Sequence, residues 1–171
     1  MYIRIKQLKK QKYAYLVKNK RYKRRKHPKQ ITTKYLGRLY TPPKIGNKVL
    51  YEPNVEKYFK NTSSNKIIKN LMEIELINHN FKKQDKVWKQ EDMTIDLSNN
   101  KITNIKENPI AIELNEGFLT NYTLKQLLNY KFTPEISLMQ QGQTLANLLV
   151  SAGIKIEDEI FLRLFEKIHN P

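Results

Sequence analysis

Residues 18–29, KNKRYKRRKHPK, place Lys18, Lys20, Arg21, Lys23, Arg24, Arg25, Lys26 and Lys29 within twelve positions, with Tyr22 and His27 among them and no carboxylate. So many like charges in one short stretch repel one another, a cost that contact with a polyanion offsets. Ammonium and guanidinium groups neutralise phosphates and release condensed counterions, which supplies most non-specific affinity for nucleic acid. Tyr22 adds a ring able to stack on an exposed base or lie against a sugar. His27 adds one more phosphate contact. A second set of residues has the types needed for different chemistry. Asp92, Asp96, Glu113 and Glu116 would form a magnesium site for phosphodiester hydrolysis if they converged. Acids flanking strands are common, so this nuclease reading stays a minor alternative. His27, His79 and His169 have no partner at ligand spacing and read as surface residues. No phosphate-cradling glycine loop, dinucleotide fingerprint or clustered nucleophile is present, so the sequence calls for no cofactor and no resident metal.

The distribution of charge separates a binding surface from mere composition. Of the 32 Lys and Arg residues, 17 lie in residues 1–51, and none of the 16 Asp and Glu residues does. The remaining 120 positions are near neutral, with 15 basic residues against all 16 acidic ones. A codon preference for lysine would spread the charge evenly. It would not empty one third of a chain of acids. The candidate nucleic-acid contacts are therefore Arg4, Lys6, Lys9, Lys10, Lys12, Lys18, Lys20, Arg21, Tyr22, Lys23, Arg24, Arg25, Lys26, His27, Lys29, Lys34 and Arg38.

Those residues need a scaffold, and the segment carries the pattern of one. YIRIKQL, YAYLVK and QITTKYLG alternate apolar and polar residues, predicting strands near 2–8, 13–18 and 30–36 with Gly37 closing the third. KKQK at 9–12 reads as a short basic hairpin, and 19–29 as a longer connection stiffened by Pro28. Disordered tails are poor in aromatic and β-branched residues, whereas this segment is rich in both. Three strands alone are marginal, so one face should pack on the rest of the chain. The opposite face would then be basic and partly aromatic. Alternation does not fix register, so which tyrosines are buried stays open.

YAYLVKNKRYKRRKHPKQITTKYLGRLY resembles the N-terminal β module of insertion-sequence transposases and related small basic proteins. Tyr13, Tyr15, Leu16, Val17, Lys34, Tyr35, Leu36 and Gly37 carry the likeness, which covers residues 1–40. The resemblance implies DNA binding by a small sheet, without transposition chemistry, since no RNase-H-like catalytic domain follows. Two later stretches, LNEGFLTNYTLKQLLNYKF and GQTLANLLVSAGIKIEDEIF, also look like parts of small archaeal proteins with this N-terminus. That likeness brings no activity with it.

Pro42, Pro43, Gly46 and Pro53 make 41–53 an extended linker. Beyond it, a short helix capped by Asn54 precedes a longer one. Ser63 or Ser64 caps the longer helix, and Ile67, Ile68, Leu71 and Ile74, extended by Leu76, form its apolar stripe, suited to cover the sheet. MTIDL and ITNI read as a hairpin, with PIAIEL at 109–114 as a third strand of this second sheet. Helices are predicted over 121–130, 135–152 and 157–169, the middle one stopping at Gly153. Trp88 is either an anchor onto the core, the reading we favour, or a stacking residue. There are no cysteines, hence no disulfide framework, and no apolar run long enough for a secretory signal or a membrane span.

The expected fold class is α+β, an N-terminal three-stranded antiparallel sheet with a basic loop, then a helix, a second small antiparallel sheet and C-terminal helices. Its expected divisions are a basic module at 1–40, the linker at 41–53 and a near-neutral portion at 54–171. The expected function is non-enzymatic nucleic-acid binding in the cytoplasm, with duplex DNA favoured over RNA and no membrane partner. An RNA- or ribosome-associated factor is the alternative, with sheet tyrosines stacking on unpaired bases. A protein partner, acidic or bound through 54–171, is a further one.

Overall fold

A computed structural model of the chain describes residues 1–23 and 27–169. In chain order its elements are β1 (Tyr2–Leu8), β2 (Gln11–Lys20), β3 (Lys29–Tyr40), α1 (Val55–Asn61), α2 (Ser64–Asn78), β4 (Lys82–Gln84), β5 (Val87–Gln90), β6 (Met93–Asp96), β7 (Lys101–Asn104), β8 (Ile110–Leu114), β9 (Gly117–Leu119), α3 (Asn121–Leu128), α4 (Leu138–Ser151) and α5 (Asp158–His169). They form an α+β fold with two sheets. One has five strands in the order β1-β2-β3-β8-β9, and the other has four in the order β4-β5-β6-β7.

The three N-terminal strands are the expected antiparallel meander, the second and third longer than the pattern suggests. Leu8 pairs with Gln11, so the first hairpin turns on Lys9 and Lys10 alone, and Lys9 takes a left-handed φ of 55°. Gly37 does not end the third strand, which runs on to Tyr40. Its role is steric: φ is 130°, and a Cβ there would lie 2.3 Å from the Pro109 carbonyl oxygen and 2.5 Å from Ile110 Cα. A bare α-carbon is what lets β8 close against β3.

PIAIEL accordingly leaves the place expected for it. Instead of completing the second sheet, β8 joins the first in parallel with β3, pairing Arg38 with Ile110, Leu39 with Ala111 and Tyr40 with Ile112. The reason is its composition. Ile110, Ala111, Ile112 and Leu114 are all buried, which suits an interior strand covered on both faces. Ile110, Ile112 and Leu114 enter the main core, while Ala111 enters a smaller cluster with Ala14, Leu16 and Leu36. The five-stranded sheet is thus built from both sides of 41–53.

That connection is extended, as its prolines require, and it is fastened. Asn78, at the end of α2, accepts Ile45 N–H and Gly46 N–H at its carbonyl. Its side chain also accepts from Lys48 N–H at 2.8 Å and donates to Lys48 C=O at 2.9 Å. Ile67, Ile68, Leu71 and Leu76 of the α2 stripe, expected to cover the N-terminal strands, lie in the main core with the second sheet and the C-terminal helices, while Ile74 is half-buried outside it. The apolar face of β1–β3 instead meets Tyr122 of α3. The second sheet is completed instead by β4 and β5, two strands not expected from the sequence, and the short run KKQ of β4 carries no alternation to reveal it. Trp88 on β5 is buried, as the anchor reading expects, with Lys83 Nζ 5.4 Å from its ring centre. His79 is no surface residue: it is 2% exposed, and its Nδ1 lies 2.9 Å from the Glu75 carbonyl. Among the described residues no helix is long and apolar enough to cross a membrane.

Candidate nucleic-acid interface

Register decides which side chains share a face, because pairing partners project together and neighbours along a strand alternate. Ile3 opposite Leu16 and Ile5 opposite Ala14 belong to the buried side. Arg4 opposite Tyr15 and Lys6 opposite Tyr13 therefore belong to the open side. Two irregularities between β2 and β3 bring further residues to that side. Tyr15 pairs with Tyr35 and Tyr13 with Arg38, so the extra residue Leu36 is absorbed between them and turns into the smaller core cluster. The second irregularity inserts Thr33, whose hydroxyl donates to the Leu16 carbonyl at 2.9 Å. Both are bulges that re-aim side chains without ending the ladder.

The open side is aromatic and cationic together. Tyr35 sits between two other tyrosines, its ring centre 6.3 Å from that of Tyr13 and 5.4 Å from that of Tyr15. Lys6 Nζ lies 4.8 Å from the Tyr15 ring centre, and the Arg38 guanidinium 5.1 Å from that of Tyr40. Contacts of this type favour a cation over a ring face. Toward the loop end of the strands the surface becomes polar. Arg4 donates to Gln30, Gln30 donates to the Tyr2 hydroxyl, and Tyr2 faces Asn19. Partial burial pushes the Tyr35 phenol above its ordinary range, and the neighbouring phenols of Tyr13, Tyr15 and Tyr40 push it further. It stays neutral at physiological pH.

Beyond Tyr2, which pairs with Val17, β2 and β3 continue without β1 as a two-stranded ribbon. Its rungs are Lys18 with Ile31, Asn19 with Gln30 and Lys20 with Lys29. By alternation, Lys18, Lys20 and Lys29 of the ribbon, like Lys34 in the three-stranded part, point to the side opposite the tyrosines, so the ribbon is cationic behind and polar in front. Lys20 Nζ lies 5.3 Å from the centre of the Tyr22 ring, which is 38% exposed. Arg21, Lys23 and His27 are exposed at the ribbon's end. Arg24, Arg25 and Lys26 lie outside the described residues. Lys9, Lys10 and Lys12 sit at the opposite end of β2, about 30 Å away at roughly 3.3 Å per residue.

The predicted basic face is therefore three places rather than one. Arg4, Lys6 and Arg38 share the tyrosine side, the ribbon lysines share its back, and Lys9, Lys10 and Lys12 mark the far turn. What sequence reasoning missed was the tyrosine trio. The alternation of Tyr13 and Tyr15 with Ala14 and Leu16 was a partial signal, but Tyr35 joins them only through the bulge at Leu36.

Among the described residues the ion pairs involve Glu56, Glu73, Glu75 and Glu159, and none reaches a Lys or Arg of residues 1–51. Nor do the four acids considered for a metal come together. Asp92 and Asp96 belong to the second sheet, whereas Glu113 and Glu116 lie on the first, where Glu113 accepts from the Thr41 hydroxyl. Among the described residues no three His, Asp or Glu side chains cluster to hold a metal. Asp96 has a local task, accepting from Ser98 N–H and Asn99 N–H in the β6–β7 turn.

No family model matches the chain, and it has no significant match among curated proteins or solved structures.

Proposed function

We propose that this protein binds nucleic acid without acting on it chemically, holding phosphates along the β2–β3 ribbon and its loop. The observation that carries the reading is the lack of internal neutralisation. Among the described residues, the cations of the acid-free strands β1–β3 form no ion pair with the chain's own carboxylates, so their charge is available to an external polyanion. A two-stranded ribbon has the width to enter a duplex major groove, and lysines behind it suit the flanking phosphates. Duplex DNA is the ligand this shape favours, in agreement with the likeness of residues 1–40 to transposase β modules.

The test is a salt titration with labelled duplex DNA. If about six cations touch phosphates, the logarithm of affinity should fall with that of salt at a slope of roughly −5. Replacing Arg21, Lys23, Arg24, Arg25 and Lys26 by Gln should flatten that slope and weaken binding to all sequences alike. Unchanged affinity in this variant would remove the loop from the interface. Competition by structured RNA at the same salt decides between the two nucleic acids, and tighter RNA binding would move the assignment to an RNA-associated factor.

A further inference from the structure

Tyr13, Tyr15 and Tyr35 present a problem that phosphate binding leaves unsolved. Tyr35 is 46% exposed in the middle of a sheet, beside two more rings and two cations. The apolar side of the same strands packs against Tyr122 of α3, whereas among the described residues neither hydrophobic cluster takes in Tyr13, Tyr15 or Tyr35. Phosphates do not use ring faces. Bases do, and only when they are out of a duplex, because paired bases hide their faces against one another and show only edges in the grooves.

We infer that the Tyr13–Tyr15–Tyr35 cluster is a stacking site for unpaired bases, so that the preferred ligand carries a single-stranded stretch next to the part gripped by the ribbon. This rests on the nucleic-acid reading above and specifies its ligand. Lys6 and Arg38 stand on either side of the rings, placed to hold the phosphates that flank a stacked nucleotide. Arg4, Asn19, Gln30 and Thr32 continue the same side toward the ribbon with hydrogen-bonding groups and no carboxylate, a path of about 20 Å from Tyr13 to Asn19 at roughly 3.3 Å per residue. One strand can therefore follow a single face from rings to loop. The bulge at Leu36 in the β3 ladder sets Tyr35 opposite Tyr15, so the backbone fixes where the ring is carried.

The experiment compares a blunt duplex with the same duplex bearing a single-stranded extension that contains 2-aminopurine, at fixed salt. For the intact chain the extension should tighten binding about five- to hundred-fold for each base stacked, and the emission of 2-aminopurine should change on binding. Tyr35→Leu keeps an apolar side chain but removes the ring. It should abolish the gain from the extension and leave blunt-duplex affinity as it was. Tyr35→Phe should retain the gain, and thermal melting of both variants shows whether the sheet is intact. An extension that brings no gain, or a Tyr35→Leu variant that follows the intact chain on both ligands, overturns the stacking site while the ribbon's salt-dependent binding stands. If neither ligand binds the intact chain, the nucleic-acid reading itself falls. A Tyr35→Leu loss that is equal on both ligands also overturns the inference, since it would make the ring part of duplex contact.

Discussion

Glu75 and Asp96 show two ways a carboxylate serves this fold. Glu75 is 3% exposed, and its Oε1 accepts from Lys155 N–H at 2.9 Å, tying α2 to the turn before α5. Its other oxygen lies 3.9 Å from His79 Nδ1. Glu75→Ala should cost about 1–3 kcal/mol, because the Lys155 amide loses its acceptor inside the protein. Glu75→Gln keeps an amide oxygen there and should cost less. Denaturant midpoints of the two variants check the order, and equal losses would mean that charge, not the acceptor, matters. Asp96 is governed by its turn. Burial acts to raise its pKa, but donors from Asn99 and Ser98, with Lys101 nearby, outweigh it and hold the group below the usual aspartate range. A lowered folded-state pKa means that the stabilisation is complete above the unfolded value and fades as pH falls through the folded one. Asp96→Ala should lower stability at neutral pH by about 1 kcal/mol. The difference from the intact chain should shrink in acid, and a constant difference across pH would contradict this account.

Among the elements, β3 carries the most, since it belongs to the ribbon, the tyrosine platform and the junction with β8. Gly37→Ala puts a methyl group into the Pro109 backbone at a φ of 130°. Backbone strain of about 1–3 kcal/mol and overpacking of similar size should add, and the melting temperature should fall by many degrees. A small shift would mean that the junction yields easily. This element also marks where the sequence stops being legible. YIRIKQL, YAYLVK and QITTKYLG announce their strands because each alternation is local. The helices over 121–130 and 135–152 announce themselves by local apolar spacing, although the second begins only at Leu138, behind a Ser137 cap that the pattern does not reveal. The pairing of β3 with β8 joins residues more than 70 positions apart and leaves no local trace beyond the all-apolar run in PIAIEL. The bulge that brings Tyr35 to Tyr15 breaks the alternation on which reading depends. KKQDKVWKQ hides its hairpin because Lys82 stands directly opposite Lys89, a pairing that simple charge patterning argues against. The acid-free charge was evident at once, whereas its division among two sides and a far turn needed the register.

For the whole molecule, salt should act in opposite directions on stability and binding. Crowded cations in the first 51 residues repel one another, and screening relieves them, so the melting temperature of the free protein should rise with added salt. Affinity for nucleic acid should fall over the same range. A melting temperature that drops or stays level would show that the cations are too far apart to strain the fold. The placement of β8 has a consequence for the order of events during synthesis. Tyr40 leaves the ribosome roughly 70 residues before Ile110, the interval at which its partner strand follows. At about 5–20 residues per second the outer edge of β3 waits several seconds with its amides unmatched. Such an edge invites another nascent chain to pair with it, and dense lysine and arginine on the same strands discourages that by mutual repulsion. Nascent chains arrested before residue 110 should thus stay dispersed, and arrested chains with those lysines and arginines changed to Gln should clump. On this view the cations guard the unfinished polypeptide before they meet any ligand.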